Sequence, residues 1–258
     1  MDKIRIAFFD IDGTLVDFHS KHISVKTVEA LTRLRAKGVI LCLATGRSPL
    51  ALPCFPEIKF DVFLTFNGSY CFDSGQVLFS NPIPHEDIKK LIENAASINR
   101  PICIATQNRL AANGTDNDLA DYFRIAGLEV EVAPDFDDLL QEEIYQVMMG
   151  CYKPEYPLVM KDVYNAKIAA WWDRAVDIIP ANGGKGIAIK KVLEHYRLDP
   201  EKAIAFGDGN NDIEMLQTVG TGIAMANASE QLKAVADKVC GHVAEDGIYH
   251  YCLEQGLI

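Results

Sequence analysis

Residues 4–14 constrain the fold of this chain more than any other part of the sequence. They read IRIAFFDIDGT, a short apolar run that ends abruptly at two aspartates, Asp10 and Asp12, and a Gly-Thr turn. A nearly unbroken apolar run of this length is typical of a strand that is buried on both faces of a parallel sheet. Because ligands of open α/β sheets bind beyond the carboxyl ends of the strands, we expect Asp10 to lie at a ligand-binding edge.

Two neighbouring carboxylates at such an edge are costly unless a cation joins them. A divalent metal with a phosphate beside it is the obvious candidate, because Mg²⁺ prefers one or two carboxylates together with phosphate oxygens and water. Two other interpretations stay open. Asp12-Gly13 is also a good two-residue turn for a β-hairpin. The D-x-D pattern also begins an EF-hand loop, although Leu15 and Lys21 stand where that loop needs glycine and glutamate.

Composition and charge limit the class of protein. The chain has 258 residues, of which 49% are hydrophobic, and this is typical of a soluble globular protein with one large or two moderate domains. The formal net charge of −11 and the lack of a basic block argue against nucleic acid or an anionic membrane as a partner. A phosphorylated small molecule stays compatible with this charge, because a local cation can dominate a site.

The cysteines indicate a reducing compartment. There are seven, an odd number, and no C-x-x-C pair occurs. Most lie in apolar runs, where a free thiol behaves as a small hydrophobic side chain. No apolar run approaches the roughly 20 residues of a membrane span, and the N-terminal residues lack the layout of a signal peptide. We therefore expect a cytoplasmic protein.

Four apolar runs, the first one included, end in polar or glycine-containing residues. They begin at Ile4, Val39, Asp61 and Ala203. In a doubly wound sheet the carboxyl ends of such strands lie along one edge, so the polar residues that follow them converge. This arrangement differs from the hairpin interpretation, which explains Asp10 and Asp12 but not the second acidic loop at residues 207–212.

The middle of the chain differs in character from its two ends. Between residues 82 and 182, polar helices alternate with short apolar segments that we expect to be strands, and no catalytic constellation appears. These segments are PICIAT (101–106), LEVEVA (128–133), YQVMMGCY (145–152) and KIAAWW (167–172). We predict a doubly wound α/β core of residues 1–81 and 183–258 with an inserted α+β domain of residues 82–182.

Four motifs follow one another in a specific order. They are D-x-D-G-T at residues 10–14, T-G-R from Thr45, Lys185 at a glycine-rich helix start, and G-D-G-x-N-D at residues 207–212. Together they make the whole chain resemble the haloacid dehalogenase-like (HAD) superfamily, and it is most similar to the Cof-type sugar-phosphate phosphatases with a large inserted α/β cap. The resemblance implies a HAD-like, Rossmann-like core and a cap that sets substrate specificity.

The resemblance also implies catalytic roles. Asp10 resembles the nucleophile that attacks phosphorus and forms an aspartyl-phosphate. Asp12 resembles the general acid and base, which protonates the leaving oxygen and then deprotonates the attacking water. Lys185 resembles the cation that holds the nucleophile and the phosphoryl group together.

A Mg²⁺ site and a phosphate site complete the expectation. In the family, the metal ligands match Asp10, Asp208 and the backbone carbonyl of Asp12. Asp212 is expected to orient a ligand or a water molecule from behind these ligands. The residues that match phosphate-binding groups are Thr45, Gly46 and Asn211.

Each of these residues also has a purely structural interpretation. Thr45 could simply end its strand, and Lys185 could be an exposed first-turn helix residue. Asp208 and Asp212 could form an Asx-turn and a helix N-cap. Arg47 could form a local salt bridge.

The leading function is that of a Mg²⁺-dependent phosphatase of small phosphorylated metabolites, with sugar phosphates as the expected substrates. The alternatives are a phosphotransferase or phosphomutase on the same scaffold and a non-catalytic sugar-phosphate sensor. Residues 106–113 and 171–174 are candidate cap contacts to the leaving group, and Asn67-Gly68 is either another such contact or an ordinary turn. We expect a monomer or a weak homo-oligomer.

Overall fold

A computed structural model of the chain describes residues 4–17, 20, 22–125, 127–170 and 172–258. Within these residues the strands are β1 (Ile6–Phe9), β2 (Ile40–Ala44), β3 (Val62–Thr65), β4 (Tyr70–Asp73), β5 (Val77–Ser80), β6 (Ile102–Ala105), β7 (Leu110–Ala112), β8 (Gln146–Gly150), β9 (Ala166–Ala169), β10 (Ala175–Pro180), β11 (Ala203–Gly207), β12 (Thr221–Ala224) and β13 (Lys238–Val239). The helices are α1 (Val25–Ala36), α2 (His85–Ser97), α3 (Asn117–Ile125), α4 (Phe136–Leu139), α5 (Tyr156–Val159), α6 (Lys185–Tyr196), α7 (Ile213–Thr218), α8 (Glu230–Val235) and α9 (Gly247–Glu254).

The larger sheet has the strand order β13-β12-β11-β1-β2-β3-β4-β5. β1 pairs in parallel with both β2 and β11, and the parallel pairing continues to β3 on one side and to β12 and β13 on the other. β4 runs antiparallel to β3. The prediction of a doubly wound, mostly parallel α/β core is therefore confirmed.

The hairpin interpretation of Asp12-Gly13 is wrong. Both edges of β1 are already occupied by β2 and β11, so the chain has no free edge along which to fold back. Instead it turns tightly after the strand, and the Leu15 N–H donates to the Ile11 carbonyl at 3.0 Å. The four predicted strands that begin near Ile4, Val39, Asp61 and Ala203 correspond to β1, β2, β3 and β11.

Helices cover both faces of the larger sheet. Alternate residues of β1 point to opposite sides of the sheet, so β1 contributes side chains to both buried faces. Ile6 and Phe8 belong to a buried apolar cluster that also contains side chains of α6, α7 and α8. On the other face, Phe9 stacks on Phe206 with ring centroids 5.2 Å apart, and Phe206 meets Tyr251 of α9 edge to face. The near-continuous apolar sequence of β1 follows from this burial on both sides.

The smaller sheet has the order β7-β6-β8-β10-β9, and its strands are antiparallel. Its main apolar cluster joins α2 and α5 to alternate residues of β6, β8 and β10. The predicted strand at residues 128–133 is wrong: this segment contributes only an isolated bridge between Ala112 and Val132. Val132 is 51% exposed, whereas Ala133 is buried and belongs to the main apolar cluster of this sheet.

By contacts between residues, the chain divides into two compact units. One comprises Met1–Thr45, Pro53–Phe79 and Lys185–Ile258, and the other comprises Gly46–Leu52 and Ser80–Gly184. The domain boundaries and the role of the second unit as a specificity cap stay predictions. Among the helices that the structure describes, none has the length and apolarity required to cross a bilayer.

Candidate active site

The carboxyl ends of β1, β2, β3 and β11 form the edge at which the site is built. The Asp10 N–H donates to the Phe206 carbonyl at 3.1 Å, so the β1–β11 ladder extends by one residue and fixes Asp10 beside the acidic loop. In the same way, the Asn67 N–H donates to the Thr45 carbonyl at 2.9 Å and links the segments that follow β2 and β3. Neighbouring parallel strands thus bring together residues that are far apart in the sequence.

Lys185 is the first residue of α6, and its side chain is fully buried. Its Nζ atom lies 2.7 Å from Asp10 Oδ1 and 2.6 Å from Asp212 Oδ1. The interpretation of Lys185 as an exposed first-turn residue therefore does not hold. α7 lies close to the start of α6. A Cβ atom on Gly186 would be only 2.8 Å from the Glu214 carbonyl oxygen, so glycine permits this approach.

The second oxygen of Asp212 closes the acidic loop on itself. Asp212 Oδ2 accepts hydrogen bonds from the backbone N–H groups of Asp208, at 3.0 Å, and Gly209, at 3.1 Å. A side chain at residue 207 would collide with this carboxylate, since a Cβ atom on Gly207 would lie 2.7 Å from Asp212 Cβ. Both oxygens of Asp212 are thus engaged by donors of the protein.

The D-x-D-G-T turn packs directly against Asp208. Thr14 Oγ1 donates to Asp208 Oδ1 at 3.2 Å. Gly13 has a φ of +88°, and a Cβ atom on it would lie 2.6 Å from Asp208 Cγ, so only glycine fits both the backbone and the space. Asn227 holds the turn from outside: its Nδ2 donates to the Gly13 carbonyl at 2.7 Å, and its Oδ1 accepts from the Val243 N–H at 3.1 Å.

Carboxylate oxygens of Asp10, Asp208 and Asp212 all lie within 4.8 Å of one another. Burial raises the pKa of Asp10 to about 7, and the neighbouring carboxylate of Asp212 adds to the rise. Burial likewise raises the pKa of Asp208 to about 8, with repulsion from Asp10 as the next cause. Three carboxylates face one ammonium, so two negative charges lack a counterion when all are ionised.

Burial lowers the pKa of Lys185, but the charges of Asp10 and Asp212 outweigh this effect and raise it above its ordinary value. The lysine therefore stays protonated. One ammonium does not balance the cluster, and the donors that remain are hard oxygen atoms. Such a set suits a divalent metal ion, which would keep the carboxylates ionised at neutral pH.

The other predicted residues lie close by. Asp12 is half-buried in the turn after β1, where its charge also raises the pKa of Asp10. Asn211 donates from its Nδ2 to Asn67 Oδ1 at 3.0 Å, and Thr45 is buried at the end of β2. Gly46 follows Thr45 in the chain but is grouped with the second unit, and the phosphate-binding roles stay predictions.

Sequence reasoning did not assign Asn227 to the site, although it lies in the M-A-N-A segment directly after β12. Its position after an apolar strand was the available signal. Ser229 caps α8, as the sequence predicts, but its backbone N–H also donates to the Asp208 carbonyl at 3.0 Å, a contact that the sequence did not indicate. Arg47 donates to the Ala51 carbonyl at 3.2 Å, which is a local contact within its own turn.

The leaving-group role of residues 106–113 and 171–174 stays a prediction, and two arginines among them form ion pairs within the second unit. Arg109 pairs with Glu131 and Asp135, and Arg174 pairs with Asp118. These side chains therefore help to hold the unit together. Trp171 lies outside the described residues.

Comparisons with known proteins agree with this geometry. A family model described as haloacid dehalogenase-like hydrolase matches residues 7–252. The Bacillus subtilis (strain 168) protein YkrA carries a provisional phosphatase name and is 34% identical to this chain over 261 residues. The alignment covers 98% of this chain and 98% of YkrA.

Two solved structures are similar over nearly their whole length. One comes from a study of a trigonal-bipyramidal intermediate conserved in a phosphoryl-transfer superfamily, with a TM-score of 0.92, 28% identity, and coverage of 99% of this chain and 100% of that chain. The other is described as the HAD subclass IIB sugar phosphatase BT4131, with a TM-score of 0.89, 29% identity, and coverage of 98% and 100%.

The chain belongs to the haloacid dehalogenase-like hydrolases. Within this family its relatives carry phosphatase names, and the chain is a phosphomonoester hydrolase. The acidic cluster at the edge of its larger sheet is the kind of site at which HAD hydrolases use a divalent metal.

Proposed function

We propose that this HAD hydrolase is a Mg²⁺-dependent phosphatase that cleaves small phosphorylated metabolites, sugar phosphates among them, through an aspartyl-phosphate on Asp10. The observation that carries the proposal is the buried ammonium of Lys185, which contacts both Asp10 and Asp212 at the edge where Asp208 also lies. No purely structural role requires an ammonium and three carboxylates to meet in one buried place, because burying charges costs several kcal/mol each.

Asp10, Asp208 and the backbone carbonyl of Asp12 would hold the metal ion. Asp212 would act from behind them, because its two oxygens already accept three hydrogen bonds from the protein. Bound Mg²⁺ would supply positive charge to the phosphoryl oxygens and keep the carboxylates ionised.

Asp10 would attack through the carboxylate oxygen that Lys185 does not bind. Lys185 contacts Oδ1 at 2.7 Å, which limits rotation of the carboxylate and would leave Oδ2 to attack phosphorus. As the new O–P bond forms, the bond between phosphorus and the leaving oxygen breaks, and Asp12 gives that oxygen its proton. Water would then attack phosphorus and give a proton to Asp12 while the O–P bond to Asp10 breaks, which releases inorganic phosphate and regenerates the Asp10 carboxylate.

Thr45, Gly46 and Asn211 would bind the phosphoryl oxygens. Thr45 and Asn211 both contact Asn67, so they belong to one connected group of loops. The preference for sugar phosphates is supported by the similarity to a structure described as a sugar phosphatase. A panel of phosphorylated metabolites, assayed for released phosphate and ranked by kcat/KM, tests this preference, and a panel in which sugar phosphates are the poorest substrates contradicts it.

Replacement of the nucleophile tests the covalent mechanism. We expect Asp10→Asn to lower the kcat for p-nitrophenyl phosphate at least about a thousandfold, because the amide cannot form the phosphoenzyme. The fold should persist, since Lys185 keeps its contact with Asp212. Asp137→Asn, at an exposed carboxylate in α4, is the matched control and should keep normal turnover. Residual Asp10→Asn activity within tenfold of the parent enzyme would remove Asp10 from its role.

Metal removal tests the cofactor. EDTA should stop the hydrolysis of p-nitrophenyl phosphate, and excess Mg²⁺ should restore it. Free phosphate and free alcohol should appear in equal amounts, whereas a phosphotransferase would pass the phosphoryl group to a sugar acceptor. Full activity in a metal-free preparation would contradict the metal assignment.

A further inference from the structure

The turn that follows β3 has an unusual backbone conformation. Three consecutive residues lie in the left-handed region: Phe66 with φ 51°, Asn67 with φ 53° and Gly68 with φ 90°. This conformation costs a non-glycine residue roughly 1–2 kcal/mol, and Phe66 adopts it although it is a buried aromatic residue. Strain of this kind persists where surrounding contacts fix the backbone, often at functional sites.

The contacts of Asn67 show what the turn holds in place. Its side chain is buried, with 2% of the residue exposed. Its backbone N–H donates to the Thr45 carbonyl at 2.9 Å, and its Oδ1 accepts from Asn211 Nδ2 at 3.0 Å. One residue therefore joins the segment after β2 to the acidic loop after β11, and the two residues that it joins are those proposed to bind phosphate.

We propose that Asn67 is a positioning residue whose side chain orients the phosphate-binding amide of Asn211. A primary amide has two N–H bonds, and when one of them donates to Asn67 the amide of Asn211 cannot rotate freely. The direction of its other N–H is thereby set before the substrate arrives, which lowers the cost of ordering the site on binding. The inference rests on the proposed phosphatase mechanism and adds to it a residue that acts through Asn211.

A matched pair of glycine variants separates this role from that of an ordinary turn. Glycine adopts the left-handed conformation without strain, so Asn67→Gly removes the amide and leaves the backbone satisfied. Asn99 has nearly the same φ, 54°, but is exposed in the turn after α2. Asn99→Gly is therefore the same substitution in the same backbone geometry, away from the site.

In the full-length enzyme with Mg²⁺, we expect Asn67→Gly to raise the KM for p-nitrophenyl phosphate about tenfold. The inhibition constant of inorganic phosphate should rise by a similar factor, since one ordering hydrogen bond is lost. The Mg²⁺ concentration for half-maximal activity and the unfolding temperature should match those of Asn99→Gly. A KM and a phosphate inhibition constant equal to those of Asn99→Gly would overturn the proposal.

A double-mutant cycle tests whether Asn67 acts through Asn211. If it does, Asn67→Gly combined with Asn211→Ala should lower kcat/KM by about the same factor as Asn211→Ala alone. Losses that multiply would overturn the proposal. Failure of the proposed function has a different signature, because the unmodified enzyme would then show no Mg²⁺-dependent release of phosphate; that result would overturn both.

Discussion

Lys185 is the residue on which the electrostatics of the site depend. Its ammonium is fully buried and is compensated by two carboxylates at 2.6 and 2.7 Å. Burying a charge costs several kcal/mol, and short contacts with Asp10 and Asp212 offset that cost. Removal of the ammonium leaves both carboxylates without their cationic partner.

Lys185→Met should therefore lower the free energy of unfolding of the metal-free protein by about 3–5 kcal/mol at neutral pH. Lys191→Met is the matched control in the same helix, because the Lys191 side chain is 44% exposed and pairs with the exposed Glu194. It should change stability by less than about 0.5 kcal/mol. Urea unfolding measures both, and equal effects of the two variants would contradict the account of Lys185.

At the scale of elements, the turn after β1 and the loop after β11 form one interlocked unit. Gly13 and Gly38 have similar positive φ values, +88° and +82°. Of the two, Gly13 faces another element: a Cβ atom there would meet the Asp208 carboxylate, whereas a Cβ atom on Gly38 would have none of the described atoms within 4 Å. The two glycines therefore separate backbone strain from displacement of the loop.

Gly38→Ala should cost about 1 kcal/mol of stability and leave the kinetics unchanged, because only the backbone is strained. Gly13→Ala should cost more and should lower kcat/KM at least about a hundredfold, because Asp208 must shift away from its place beside Asp10. Thermal unfolding and p-nitrophenyl phosphate kinetics measure the two effects. Normal kinetics in Gly13→Ala would show that the turn and the acidic loop move independently.

At the scale of the whole molecule, the acidic cluster makes stability depend on pH. In the folded, metal-free protein the pKa of Asp10 is raised to about 7 and that of Asp208 to about 8, by burial first and then by neighbouring carboxylates. In the unfolded chain both titrate near 3.8. Between about pH 4 and pH 8 the folded state therefore binds more protons than the unfolded state, and stability falls as the pH rises.

We expect the metal-free protein to lose stability between pH 6 and pH 8, by at most roughly 1.4 kcal/mol per pH unit for each group. Asp208→Asn should lose less over the same interval, because it removes one of the two titrating groups. Denaturant unfolding at a series of pH values measures the slopes. Identical slopes for the two proteins would contradict the raised pKa of Asp208.

The apolar runs of β1, β2, β3 and β11 determined the core fold, because strands buried on both faces need near-continuous apolar sequence. The sequence was less informative in the second unit. Residues 128–133 alternate as a strand should but form only an isolated bridge, with Val132 exposed, whereas β10, which is fully buried, was not foreseen. An alternating apolar pattern shows which side chains a strand could bury, but it does not show whether another element packs against them.

The sequence by itself determined the set of charged groups in the site. These residues follow buried strands or begin a helix, and each occurs in a recognisable motif: Asp10, Lys185, Asp208 and Asp212. Only the tertiary structure decided how they share contacts: that Lys185 bridges Asp10 and Asp212, that Asp208 packs on the turn at Gly13, and that Asn67 and Asn227 hold the loops. The reason is physical. The burial of a strand is encoded locally by its own residues. A hydrogen bond between loops depends on two segments, which are up to 214 positions apart in this chain and come together only when the strands of the sheet are in place.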